Sequence, residues 1–283
     1  MGASATPRVN MEMEMTTHFE GMVPVNGTRL HVRLEGVEAA PVVALVNSLA
    51  TDLGIWDQQI PALAQHYRVL RYDVRGHGRS DAPPGPYTMD LLTDDLFALL
   101  THFKAGRAHV VGVSLGGLIA MAAALRRPAD LAGIAVCDSR ADMTPEFARG
   151  IDDRNVLVRE KGTQAIADMM VTRWFTQATL AAKPDYLETI RQMIRDTSIE
   201  GFTGCAAAIK LSGLRARVAQ IRVPALFVVG DQDAALPVAL MQAMQAEVPG
   251  ARFAEIQGAG HLANVEQPER FNATLLDFLG GAA

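Results

Sequence analysis

Gly112-Val113-Ser114-Leu115-Gly116-Gly117 is preceded by an apolar run of strand character, Ala108-His109-Val110-Val111, and followed by a strongly helical one, residues 118–125. A serine between glycines at a strand-to-helix junction is the setting of a G-x-S-x-G nucleophile elbow. The flanking glycines let backbone approach where a Cβ would clash, so Ser114 is expected on a tight, strained turn with its hydroxyl exposed. The Leu115 N–H, opening the next helix, is then placed to meet an oxyanion. Taken alone, the pattern also fits a glycine-rich turn carrying an idle serine. The rest of the chain decides between these by supplying, or failing to supply, a base, an orienting acid and a second amide donor.

Around this element the pattern is that of repeated β-loop-α units. Gly21 to Val25 and Thr28 to Leu34 read as strands separated by Asn26-Gly27, a type I′ hairpin signal, so the chain begins with an antiparallel edge. Val42 to Val46 is a continuous apolar run, as expected of a strand buried on both faces of a parallel sheet. It ends in the polar loop Asn47-Ser48-Leu49-Ala50-Thr51-Asp52, which leads to a helix expected from Trp56 to His66. Strands at 68–73, 108–111 and 131–138 follow. A helix at 88–103 has its leucines on one side and Asp94 and Asp95 on the other, and a second runs from the elbow to Arg126, stopped by Pro128.

From about 140 to 221 the rhythm breaks into helices only, at 145–161, 163–173, 184–196 and 199–210, beginning at the N-cap Thr144 with Pro145 in the first turn. An all-helical insertion between strands of a parallel sheet reads as a cap that closes a pocket over the loop ends. Pro224 to Gly230 resumes the sheet, followed by a helix at 238–247, a strand at 251–256 and a last helix at 268–279. The expected fold is α/β, a mostly parallel central sheet with an N-terminal antiparallel hairpin and a helical cap inserted between strands. Residues 17–139 and 222–283 form the core and 140–221 the cap. Residues 1–16, with the Met-Glu repeats at 11–15, read as a leader outside the fold.

Composition narrows the function. With 283 residues, 49% hydrophobic and 20% charged, the chain has ample material for a buried core. Its net charge of −5 offers no general attraction to nucleic acid or an anionic membrane. No apolar run approaches a membrane span or the h-region of a signal peptide, and the expected location is cytoplasmic. Cys137 and Cys205 are too few for a disulfide framework or a zinc cluster, and neither C-x-x-C nor H-E-x-x-H occurs. Both read as buried thiols, and no cofactor or metal is expected.

Serine needs a neutral imidazole to take its proton, and the imidazole needs a carboxylate to hold its tautomer and stabilise the cation. His261, in Gly258-Ala259-Gly260-His261 after the last strand, is the best placed of the seven histidines. His31 alternates within a strand, and His77 sits between Gly76 and Gly78 in a polar loop, so both read as structural. Three acids stand at strand ends: Asp138, Asp231 and Asp233. Asp233 lies deeper in its loop, where its side chain can turn back to the histidine, and Asp231 reads as a turn former. The resulting order, serine, acid, histidine, is that of the α/β-hydrolases.

The chain resembles that superfamily over nearly its whole length past residue 20, and within it the 3-oxoadipate enol-lactone hydrolases. The resemblance is carried by residues 47–56 (N-S-L-A-T-D-L-G-I-W), 70–80, 84–87, 173–175, 201–209 and 260–268. Ala50 stands where those enzymes have glycine, and Leu115 where many have methionine. The resemblance implies Ser114 as nucleophile, Asp233 as acid, His261 as base, and the N–H groups of Leu49 and Leu115 as oxyanion donors. It implies a cofactor-free enzyme of aromatic catabolism acting on a small lactone or ester. Asn47, Ser48, Arg173 and Trp174 are the expected substrate contacts. A broad carboxylesterase, a cofactor-free perhydrolase and a non-catalytic binding protein of the same fold are the alternatives.

Overall fold

Asn26 and Gly27 adopt positive φ, 41° and 76°, which gives the turn between β1 (Thr17–Val25) and β2 (Thr28–Gly36) the twist of the strands it joins. The computed structural model describes residues 17–281; the leader expected over 1–16 lies outside the described residues. Six further strands follow: β3 (Val42–Val46), β4 (Arg68–Tyr72), β5 (Ala108–Val113), β6 (Leu131–Cys137), β7 (Ala225–Gly230) and β8 (Arg252–Ile256). Their order across one sheet is β1-β2-β4-β3-β5-β6-β7-β8. The hairpin joins β4 antiparallel, and every pair from β4 to β8 is parallel. Each residue of β3, β5 and β7 is buried, which is why these strands read as unbroken apolar runs rather than alternations.

Helices cover both faces. After α1 (Ile60–Leu63), α2 (Met89–His102) starts at Thr88, whose hydroxyl accepts the Leu91 N–H, and buries Leu92, Leu96, Leu99 and Leu100. Asp95 is buried as well, contrary to the outward position expected from its spacing. Its carboxylate takes the fork of Arg75 at 2.6 and 2.5 Å, and an amide N–H of Asn26 at 3.0 Å, so its charge is compensated. The helix expected from Trp56 to His66 is instead a 3₁₀ turn, Leu53–Trp56, and the single turn of α1. Arg71 of β4 binds the Leu53 carbonyl and the Asp57 carboxylate, so contacts to the sheet hold this segment in place of a continuous helical ladder.

α3 (Leu115–Arg126) runs up the middle, buried from Leu115 through Ala124. Five helices separate β6 from β7: α4 (Pro145–Lys161), α5 (Ala167–Trp174), α6 (Gln177–Ala182), α7 (Tyr186–Asp196) and α8 (Ile199–Lys210). α6, a 3₁₀ stretch at Leu214–Gln220 and the single turn Ala263–Glu266 have no counterpart in the sequence pattern. α6 has six residues and buries none, so it leaves no apolar period to read. α9 (Val238–Glu247), α10 (Ala263–Glu266) and α11 (Pro268–Gly281) complete the chain. No helix among the described residues is long and apolar enough to cross a membrane.

Candidate active site

Ser114 sits at φ 54°, ψ −108°, between the end of β5 and the head of α3. This conformation is costly for a residue with a Cβ and persists because its surroundings leave no room to relax. A Cβ on Gly112 would lie 2.1 Å from the Gly116 oxygen, and one on Gly116 would lie 2.2 Å from the Val46 oxygen. The Ser114 N–H donates to the Cys137 carbonyl at 2.9 Å, and the Ser139 hydroxyl donates to the Ser114 carbonyl at 2.7 Å. The elbow is thus pinned to β6 while its hydroxyl stays free to face the loops beyond the sheet.

His261 meets that hydroxyl. Its Nε2 lies 3.0 Å from Ser114 Oγ and its Nδ1 2.7 Å from Asp233 Oδ2. A proton on Nδ1 held by the carboxylate leaves Nε2 as an acceptor for the serine proton. The other oxygen of Asp233 accepts N–H bonds from Ala235 and Leu236 at 2.7 and 3.0 Å, which aims the carboxylate. Asp231 points elsewhere: one of its oxygens accepts the Gly258 and Ala259 N–H groups at 2.7 and 3.2 Å and shapes the loop leading to His261. Asp138, wholly buried, receives the Gly230 N–H at 2.8 Å. Burial, and secondarily the nearby Asp233, push its carboxyl well above the usual range.

Contacts invisible in the sequence hold the histidine loop. The Trp174 carbonyl at the end of α5 accepts the His261 N–H at 2.7 Å, and the Trp174 ring stacks on the imidazole with centroids 6.2 Å apart. Glu266 of α10 accepts the Gly260 N–H at 2.7 Å with one oxygen. With the other it accepts the Thr176 N–H at 3.0 Å and the Thr176 hydroxyl at 2.6 Å. The helical segment and the histidine loop are therefore clamped together. His77, by contrast, is fully buried, donates to the Arg75 carbonyl at 3.1 Å and has its pKa lowered by burial. His31 is paired with Asp73 at 2.8 Å, and both cysteines are buried.

The loop after β3 carries Leu49, whose N–H is the expected second oxyanion donor. Neither the Leu49 nor the Leu115 N–H donates to an acceptor among the described residues, and both residues line one cavity with Ser114 and His261. Asn47, expected from the sequence to contact substrate, does not line this cavity. It is buried away from the cavity, donates to the Ser48 and Thr51 carbonyls and accepts the Val74 N–H at 3.1 Å, bracing the loop against the chain after β4. Ser48 does line the cavity, with its hydroxyl buried and unpartnered. Ala50 takes φ 62°, a left-handed position that glycine adopts without a Cβ penalty.

The cavity, about 120 Å³, is closed on the far side by Phe147 and Ile151 of α4, Met170 and Trp174 of α5, and Phe202 and Ile209 of α8. Arg173 is at its rim and exposed. Chemically, the site combines a strained hydroxyl and an acceptor nitrogen backed by a carboxylate in a cavity that Leu49 and Leu115 also line, a set suited to acyl transfer. Among the described residues no three His, Cys, Asp or Glu side chains group in a way that would hold a metal ion.

Known proteins share this architecture. The alpha/beta hydrolase fold family profile matches residues 41–268. The chain is 33% identical to a 3-oxoadipate enol-lactonase of Acinetobacter baylyi over 255 residues, which is 90% of this chain and 94% of that protein. The enol-lactonase structure from Burkholderia xenovorans superposes with a TM-score of 0.88 at 39% identity, covering 92% of this chain and all of that one. A thermophilic esterase from Thermogutta terrifontis gives 0.86 at 31% identity, covering 95% and 99%.

Proposed function

The chain belongs to the alpha/beta hydrolase family, and from that premise we propose that it is a serine hydrolase opening a small carboxylated lactone, the enol-lactone of 3-oxoadipate, to 3-oxoadipate. The observation that carries this reading is the unbroken line Asp233, His261, Ser114, at 2.7 and 3.0 Å, ending beside the unpaired amides of Leu49 and Leu115. In this reading His261 takes the Ser114 proton as Oγ attacks the ring carbonyl, and the two amides hold the oxyanion. The ring C–O bond breaks, the enolate leaves and takes the proton from His261, and the acyl group stays on Ser114. Water, deprotonated by His261, then releases the acid. Residues 140–221 act as the cap that encloses the substrate.

The identity of the similar proteins supports the lactone as substrate. The test is turnover of the enol-lactone by the purified protein, with Ser114→Ala as control. Loss of a serine nucleophile costs about 10⁴ to 10⁶ in rate, so a variant as active as the parent would refute the mechanism. A second reading, a broad carboxylesterase or perhydrolase, is favoured by the largely apolar wall of α4, α5 and α8 and by the similar esterase. Faster turnover of simple aryl esters than of the lactone would select it.

A further inference from the structure

Three arginines line the cavity: Arg140, Arg154 and Arg173. Arg140 is already matched, bound to the Asp142 carboxylate and laid over the Phe147 ring at 4.4 Å. On the neighbouring helices α7 and α8, Arg191, Arg195 and Lys210 each hold a carboxylate. Arg154 holds none. Among the described residues it has neither an ion pair nor a hydrogen bond, although it is half-buried. Its Nη1 lies 3.6 Å from the point a Cβ on Gly150 would occupy, so the side chain folds back over a bare glycine one turn earlier, the direction helical side chains favour. The wall beside it is apolar, Phe147, Ile151 and Met170. Burial, and then the like charge of Arg173, lower its pKa, against a smaller opposing pull from Asp153, which makes no ion pair with it.

A guanidinium presents five donors, and enclosing it unpaired is costly unless an anion completes it. We propose that Arg154 anchors a carboxylate carried by the substrate away from its scissile carbonyl, with Arg173 closing the same subsite from α5. The substrate class is therefore the lactone or half-ester bearing a free carboxylate. This rests on the hydrolase reading for the bond that is cut, but the anion subsite stands independently of it. The geometry shifts the main role from Arg173, the cation expected from the sequence, to Arg154.

The test compares 4-nitrophenyl hydrogen glutarate with 4-nitrophenyl pentanoate, an ester of similar length without the charge. The native protein is expected to prefer the charged ester, and Arg154→Met to lower the ratio of the two kcat/KM values at least ~10-fold, mainly through KM, with Arg154→Lys in between. Glutarate is expected to bind the Ser114→Ala protein in calorimetry, and to lose that binding when Arg154→Met is added. Because the replacement removes an uncompensated charge, Arg154→Met is also expected to raise Tm, whereas an arginine kept for structure would lower it. Equal turnover of the two esters together with glutarate binding indifferent to Arg154 would overturn the subsite. Arg154-dependent glutarate binding by a protein that hydrolyses no ester or lactone would uphold the subsite and sink the hydrolase reading instead.

Discussion

Removing the Glu266 carboxylate tests whether the helical segment positions the histidine. Glu266 is 8% exposed and takes three hydrogen bonds, from Gly260 N–H, Thr176 N–H and the Thr176 hydroxyl. Glu266→Ala leaves two buried N–H groups without an acceptor, at about 1–3 kcal/mol each, so a loss of about 2–6 kcal/mol is expected. Glu266→Gln separates electrostatics from volume. Whichever way its amide turns, an NH₂ faces an N–H donor at either Gly260 or Thr176, so one bond is lost and about 1–3 kcal/mol with it. Gly260 precedes His261 and lies against the Trp174 carbonyl, 2.3 Å from where a Cβ would be. Slack there moves the imidazole relative to Ser114, and a displacement of about 1 Å costs on the order of 10² in rate. Urea denaturation and kcat/KM on an aryl ester measure the two effects. If Glu266→Ala unfolds at the parental midpoint and retains parental kcat/KM, the clamp has no role.

Three further outcomes follow from backbone strain and burial. Ser114→Gly should raise stability by about 1–2 kcal/mol, since glycine adopts φ 54° without penalty, while abolishing hydrolysis; denaturant midpoints and ester turnover check this. Ala50→Gly, at φ 62°, should stabilise by about 0.5–1 kcal/mol with kcat little changed, and a drop in Tm would show that the left-handed position carries no strain. Asp138 keeps its proton in the folded protein well above the pH of about 4 at which it ionises unfolded. The folded state then binds more protons in that window, so its stability falls as pH rises. Asp138→Asn, which resembles the protonated acid, should therefore gain on the parent above about pH 4, increasingly with pH, and match it below. Parallel stability curves across pH would refute this.

Much of the architecture was legible in the chain itself. The runs that became β3, β5 and β7 are apolar throughout because both their faces are covered, and Asn26-Gly27 announces its turn through the conformations only such residues adopt easily. The N-cap Thr144 with Pro145 marked the start of α4, and leucine spacing placed α2 to within a residue at each end. Illegible were α6, too short and exposed to carry a period, and the segment at 53–66, shaped by Arg71 rather than by its own propensities. The burial of Asp95 was hidden for the same reason: only the approach of Arg75 makes it affordable.

At the site the division is similar. Gly112, Ser114 and Gly116 dictate a strained turn through their own covalent geometry, so the sequence alone determined that a serine hydroxyl would stand at a strand end. Strand order likewise put His261 and three acids within the same row of loops. Which acid meets the imidazole was decided by amides of the fold: Ala235 and Leu236 aim Asp233, Gly258 and Ala259 occupy Asp231, and Gly230 engages Asp138. The brace of Asn47, the clamp of Glu266 and the unmatched charge of Arg154 belong to the same kind of decision. Local patterns encode conformation because backbone sterics act between neighbours. Pairing, desolvation and access are set by groups far apart in the chain, 147 residues for Ser114 and His261 and 209 for Ile55 and Asn264, and only the folded structure brings those together.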